Sequence, residues 1–128
     1  MTKCIRIGGA SGYWGDSYEA PRQLIEKGEV DYLVFDFLAE VTMSILSRAR
    51  ARSDAAGYAT DFVAMLTPLL PEIARRGVKV VANAGGVNLE ACRLALAKAC
   101  AEQGVELSIG AVDGDNLLER ADQIRGLG

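Results

Sequence analysis

The sequence predicts an α/β fold: a mainly parallel sheet of about four βα units in a Rossmann-like three-layer arrangement. Three observations predict it. Short runs rich in Val and Ile recur along the chain, amphipathic or Ala-rich stretches separate them, and a loop bearing glycine or acid follows each run. Such alternation is the pattern of βα units, whose strands are buried on both faces. A chain of 128 residues suits a single α/β domain with a core of its own.

The candidate strands are Cys4 to Ile7, Tyr32 to Phe35, Val78 to Ala82 and Leu107 to Val112. A first helix is expected from Ser17 to Lys27, with Ser17 as cap, Pro21 in the first turn and Gly28 as stop. After the second strand, "AEVTMSILSRARAR" places Val41, Ile45 and Ala49 at fourfold spacing and ends in arginines, which suit a helix C-terminus. From Thr60 the positions Phe62, Met65, Leu66, Leu69 and Ile73 mark one helical face, and Pro68 should kink or restart it. "NAGGVN" leads into a helix from Leu89 to Gln103, with Cys92, Leu96, Ala99 and Gln103 on one side and Gly104 as C-cap. A last helix is expected over Asn116 to Ile124.

Half of the residues are hydrophobic and 24% are charged, an ordinary globular composition. With no unbroken apolar window of about eighteen residues and no leader, the expectation is a soluble cytoplasmic protein with no membrane partner. The net charge is -3, and the Lys and Arg residues form no basic stripe, which argues against nucleic acid. Cys4, Cys92 and Cys100 have neither zinc-site spacing nor the even number of a disulfide framework. Histidine is absent, so no Ser-His-Asp or Cys-His nucleophile and no imidazole base can be built from this chain. Catalysis would fall to carboxylates, Lys, Tyr, Cys, backbone dipoles or an oxygen-liganded metal.

Loops leaving the carboxyl ends of parallel strands converge on one edge, where ligands bind. The unusual residues fall in those loops: "GGASGYWGD", "DFLAE", "NAGGVN" and "DGDN", with "GYATD" able to fold back to the same edge. Asp16, Asp36, Glu40, Asp61, Asp113 and Asp115 lie there without a single Lys or Arg. Crowded carboxylates raise one another's pKa or recruit a divalent cation. Asp36 and Glu40 are therefore the catalytic candidates. Asp113 and Asp115 are candidate metal ligands, with Mg or Mn favoured over Zn. Gly9, Ser11, Gly12, Trp14, Asp16, Asn83, Gly85, Gly86 and Asn88 are candidate ligand-binding residues.

Each has a plainer reading beside it. Asp16, Glu40, Asp61 and Asp115 stand near helix starts, where acids cap exposed N–H groups. The paired glycines of "NAGGVN" serve a turn or an anion-binding nest, and Trp14 lines a pocket or covers the sheet. The glycine spacing in the first loop is G-x-x-G-x-x-G rather than the G-x-G-x-x-G of a dinucleotide site, which disfavours nicotinamide and flavin.

Taken together, "IRIGGASGYWGDS", "DYLVFDFLAEVTMSILSRAR", "GYATDFV", "LLPEIARRGVKVVANAGGVN" and "GDNLL" resemble the N-terminal region of the acyclic terpene utilisation (AtuA-like) family, in the same order from Ile5 to about Leu118. The resemblance implies catabolism of acyclic terpenes such as citronellol and geraniol, or related acyl-CoA metabolism. It also implies a longer family protein, so a missing C-terminal region, a partner subunit or a homo-oligomer is expected to complete the site. Two readings stand: part of an enzyme acting on an acyl or acyl-CoA metabolite, and a non-catalytic module for ligand binding or subunit assembly.

Overall fold

The central element of the computed structural model, which describes residues 4–117 and 120–126, is the strand Tyr32–Phe35 (β2). It pairs in parallel with Ile7–Ser11 (β1) on one side and Lys79–Ala82 (β3) on the other, giving the order β1-β2-β3. The register aligns Gly8, Leu33 and Val80 across the sheet, and Gly9, Val34 and Val81 beside them. Successive residues point to opposite faces, so these two rows define the two faces.

The face carrying Gly8, Ala10, Leu33 and Phe35 is buried. Helix Ala20–Lys27 (α1) lies against it so closely that a Cβ on Gly8 would meet Val30 and Leu24 at 3.0 and 3.2 Å. Helix Thr60–Leu66 (α3) covers the same face, with the Phe62 ring edge-on to Phe35 at 5.1 Å and Phe37 stacked on Phe35 at 5.6 Å. The opposite face carries Ile7, 62% exposed, and Val81, 54% exposed. Among the described residues no helix layer seals it, so the anticipated three-layer arrangement reduces to one sheet covered on one side.

The first strand lies later than the apolar run suggests. Cys4 to Ile7 is expected, yet pairing begins at Ile7 and runs through both glycines, and at Gly8 the side chains of Leu24 in α1 and Val30 beyond it leave little room for a Cβ. Helix α1 begins at Ala20, whose N–H donates to Ser17 Oγ at 3.1 Å. Helix Glu40–Arg52 (α2) forms as predicted, but its inward side is Thr42 and Leu46, while Val41 and Ile45 are 72% and 50% exposed.

Pro68 interrupts the next helical stretch as expected. A 3-10 turn over Thr67–Leu69 joins α3 to helix Leu70–Arg76 (α4), which ends at Gly77 with φ +68°. Helix Leu89–Glu102 (α5) is capped by Asn88, whose side-chain oxygen accepts from the Ala91 N–H. It buries Cys92, Ala99 and Cys100, and burial pushes the Cys92 thiol up to about 11.

The expected fourth strand joins no ladder among the described residues. Its first part nonetheless keeps a strand-like alternation: Val105, Leu107 and Ile109 pack on the core while the residues between them are exposed. The last helix is Ala121–Arg125 (α6), shorter than anticipated. Leu118 and Glu119 of the expected span lie outside the described residues.

Candidate functional site

Asp36 follows β2 and Asn83 follows β3, and the register that aligns Phe35 with Ala82 brings the two side by side at the carboxyl edge. The Asn83 side-chain nitrogen donates to Asp36 Oδ1 at 2.6 Å, and its oxygen accepts the Phe37 N–H at 2.7 Å. The amide of Asn83 is thus oriented by backbone and in turn holds the carboxylate. Both residues are exposed, and the second Asp36 oxygen has no partner among the described residues. The Asp36 N–H donates to the Ser11 carbonyl at 3.1 Å, which ties the ends of β1 and β2 together.

Glu40 opens α2 four residues later, exposed and without a capping bond from a side chain. In the first loop, Asp16 Oδ2 accepts the Gly12 N–H at 2.9 Å, and Ser11 Oγ donates to the Tyr13 carbonyl at 2.7 Å. Asp16 therefore closes its own loop, and the helix N-cap is Glu19, without a side-chain capping bond, rather than the expected Ser17, which accepts the Ala20 N–H from the preceding turn. Trp14 is partly buried against the core. Gly9 lies within β1, on the open face, with nothing within 4 Å of an added Cβ.

The long second connection does fold back to this edge. The Ala59 N–H donates to the Ala84 carbonyl at 2.8 Å and the Val87 N–H to the Gly57 carbonyl at 2.9 Å. Asp61 accepts the Tyr18 hydroxyl at 2.9 Å, and this hydrogen bond, which only the protonated phenol can donate, raises the Tyr18 pKa above its ordinary value, with the carboxylate's negative charge adding to the rise. Tyr18 is the site neighbour that sequence reasoning missed. Its only signal is its place two residues after Asp16, and its partner lies 43 positions away.

The third loop has mostly internal duties. Asn88 donates to the carbonyls of Asp54 and Ala56 at 2.9 and 2.7 Å while capping α5. At Gly86, φ is +53°, and a Cβ there would meet Leu46 at 2.5 Å and the Gly57 carbonyl at 2.6 Å. A Cβ on Gly85 would meet Leu89 at 2.6 Å. These glycines admit the chain's own neighbours.

The structure thus brings Asp36 together with Asn83 and, through Ser11, with the first loop. Asp113 and Asp115 lie on an exposed segment, and Asp115 lines a separate hollow beside Met43 and Ile124. Among the described residues, no three Cys, Asp or Glu side chains gather closely enough to hold a metal ion.

The sequence model of the family described as acyclic terpene utilisation family protein AtuA matches residues 5–127. The chain belongs to that family. The AtuA family match spans both the Asp36 and Asn83 positions and the first loop. No curated protein and no solved structure matches the chain. No helix among the described residues of this AtuA family member is long and apolar enough to cross a membrane.

Proposed function

We propose that the carboxyl edge of the sheet binds a small acyl metabolite arising in the breakdown of acyclic terpenes or related acyl-CoA compounds, and that Asp36 is the proton-handling group. The observation that carries this reading is the Asn83 amide held between the Phe37 N–H and Asp36. A carboxylate fixed through one oxygen, with the other free, is oriented to take a proton from carbon beside a carbonyl. Its place at the carboxyl end of the central strand is where ligands meet parallel α/β sheets. Family membership supports the terpene context. Asp36 is the catalytic candidate, Asn83 its positioning residue, and Glu40, exposed at the start of α2 four residues on, a second candidate carboxylate.

The test is exchange of the proton next to the carbonyl, followed by mass spectrometry in heavy water, using the coenzyme A thioester of the acid derived from citronellol. Asp36→Asn should slow exchange by about a hundredfold or more. Asn83→Ala should retain thioester binding and shift the pH profile of exchange. Absence of thioester binding, or unchanged exchange in Asp36→Asn, contradicts the proposal.

A second reading, a non-catalytic assembly module, is favoured by a different observation, the exposed Ile7 and Val81 on the open sheet face. Parallel sheets are ordinarily covered on both faces. Under that reading, Val81→Lys abolishes assembly with a partner, and Asp36→Asn leaves it intact.

A further inference from the structure

A cleft of about 630 Å³ runs along the free edge of β3. One wall is β3 itself, the other is Leu107 to Ala111, and Leu66, Leu70 and Leu96 line it between them. Asp36 does not border it, so its role is independent of the acyl site.

Main-chain geometry says what fits. The amides of Lys79 and Asn83 donate toward the β2 side, to the carbonyls of Asp31 and Phe35 at 3.0 and 3.4 Å. The period of two along a strand then turns the Val80 and Ala82 amides toward the cleft, where no described strand meets them. Across the gap, residues 105–110 alternate in burial like a strand but join no ladder. A small apolar molecule would fill the volume and leave those amides unpaired, at a cost. An extended peptide fills it and pairs with them.

Charge complements this. Lys79 sits at the rim, its ammonium 5.4 Å from the centre of the Tyr32 ring and 3.5 Å from the Tyr32 hydroxyl. Among the described residues it makes no ion pair, whereas Arg93, also on the cleft, is bound to Glu90 at 2.6 Å.

We propose that this cleft is the seat of one added β-strand, supplied by a partner segment that is apolar at alternate positions and carries a carboxylate beside Lys79. Strand addition takes its affinity from main-chain hydrogen bonds and its selectivity from pockets for alternate side chains.

The probe is a decapeptide alternating valine and threonine with an aspartate at each end. It is titrated into the protein while amide hydrogen exchange is followed. Saturable binding is expected, with exchange slowed at Val80, Ala82 and within 105–111. N-methylation of alternate peptide amides should weaken binding by about tenfold or more, since it removes the pairing and keeps the apolar surface. Lys79→Gln, at an exposed position that does not threaten folding, should weaken it roughly threefold. No saturable binding overturns the proposal. Equal binding of the N-methylated peptide also overturns it, assigning the cleft to apolar ligands. Protection of Val80 and Ala82 without peptide, rising with protein concentration, overturns it in favour of a second copy of the chain.

Discussion

The two faces of the sheet are made by alternate residues of the same three strands, yet they have opposite fates. On one, Leu33 and Phe35 are 0% and 2% exposed beneath α1 and α3; on the other, Ile7 and Val81 stand more than half exposed. The same apolar residue type therefore does different work on the two sides. On the covered face it drives folding through burial. On the open face it contributes little to the fold of the isolated chain and is available to a partner.

Substitution should break the symmetry in a graded way. The largest effect is expected for Phe35→Ala, which removes a ring packed against Phe37 and Phe62 and should cost about 3–5 kcal/mol in denaturant unfolding. Val81→Thr, on the open face, should stay within about 0.5 kcal/mol. Equal losses at the two positions would mean that the open face is covered.

The two adjacent glycines of β1 give a finer version. Gly8→Val pushes into Leu24 and Val30 and should cost about 1–3 kcal/mol by overpacking, whereas Gly9→Val adds its Cβ where nothing lies within 4 Å and should be neutral within about 0.5 kcal/mol. Thermal melts of the pair measure which glycine is required.

Thiol labelling samples the same contrast without mutation. Cys4 is exposed, while Cys92 and Cys100 are buried, and burial raises both of their pKa values. Iodoacetamide at mildly alkaline pH should modify Cys4 alone, and the α5 thiols only after denaturant is added. Early modification of Cys92 would show that α5 is not docked.

The smallest effect is electrostatic. The Arg75 and Arg76 guanidiniums hydrogen-bond Glu72 and lower its pKa from 4.5 to about 2. A depressed carboxylate pKa contributes stability that is present above the unfolded value and is lost as pH falls through the folded one. Wild type should therefore exceed Glu72→Gln slightly at neutral pH, and the gap should close between pH 4.5 and about 2. The pair is at the surface, so salt should shrink the gap.

Local features were legible in the sequence. Tyr32 to Phe35 and the break at Pro68 both follow from short-range chemistry. The inward side of α2 did not, because Thr42 and Leu46 turn inward on tertiary grounds while Val41 and Ile45 look more apolar. β1 was displaced because glycines read as loop until the packing of α1 on Gly8 is known. The fourth strand failed for a related reason: "VELSIGAV" has strand composition, but a strand also needs a paired edge, and the ladder stops at β3.

At the site, Asp36 and Asn83 were each visible as polar residues ending apolar runs. Their hydrogen bond joins positions 47 apart and depends on the β2–β3 register. The internal roles of Gly85, Gly86 and Asn88 depend likewise on the Asp54 to Ala59 segment folding over them. Residue type suggested the candidates, and long-range pairing separates those that face outward from those that hold the chain together.

The most direct test of the two-faced sheet is methyl NMR with a soluble paramagnetic agent. The signals of Ile7 and Val81 should broaden strongly, while those of Leu33 and Leu46, each at most 1% exposed, stay sharp. Sharp, protected Ile7 and Val81 methyls would contradict the account.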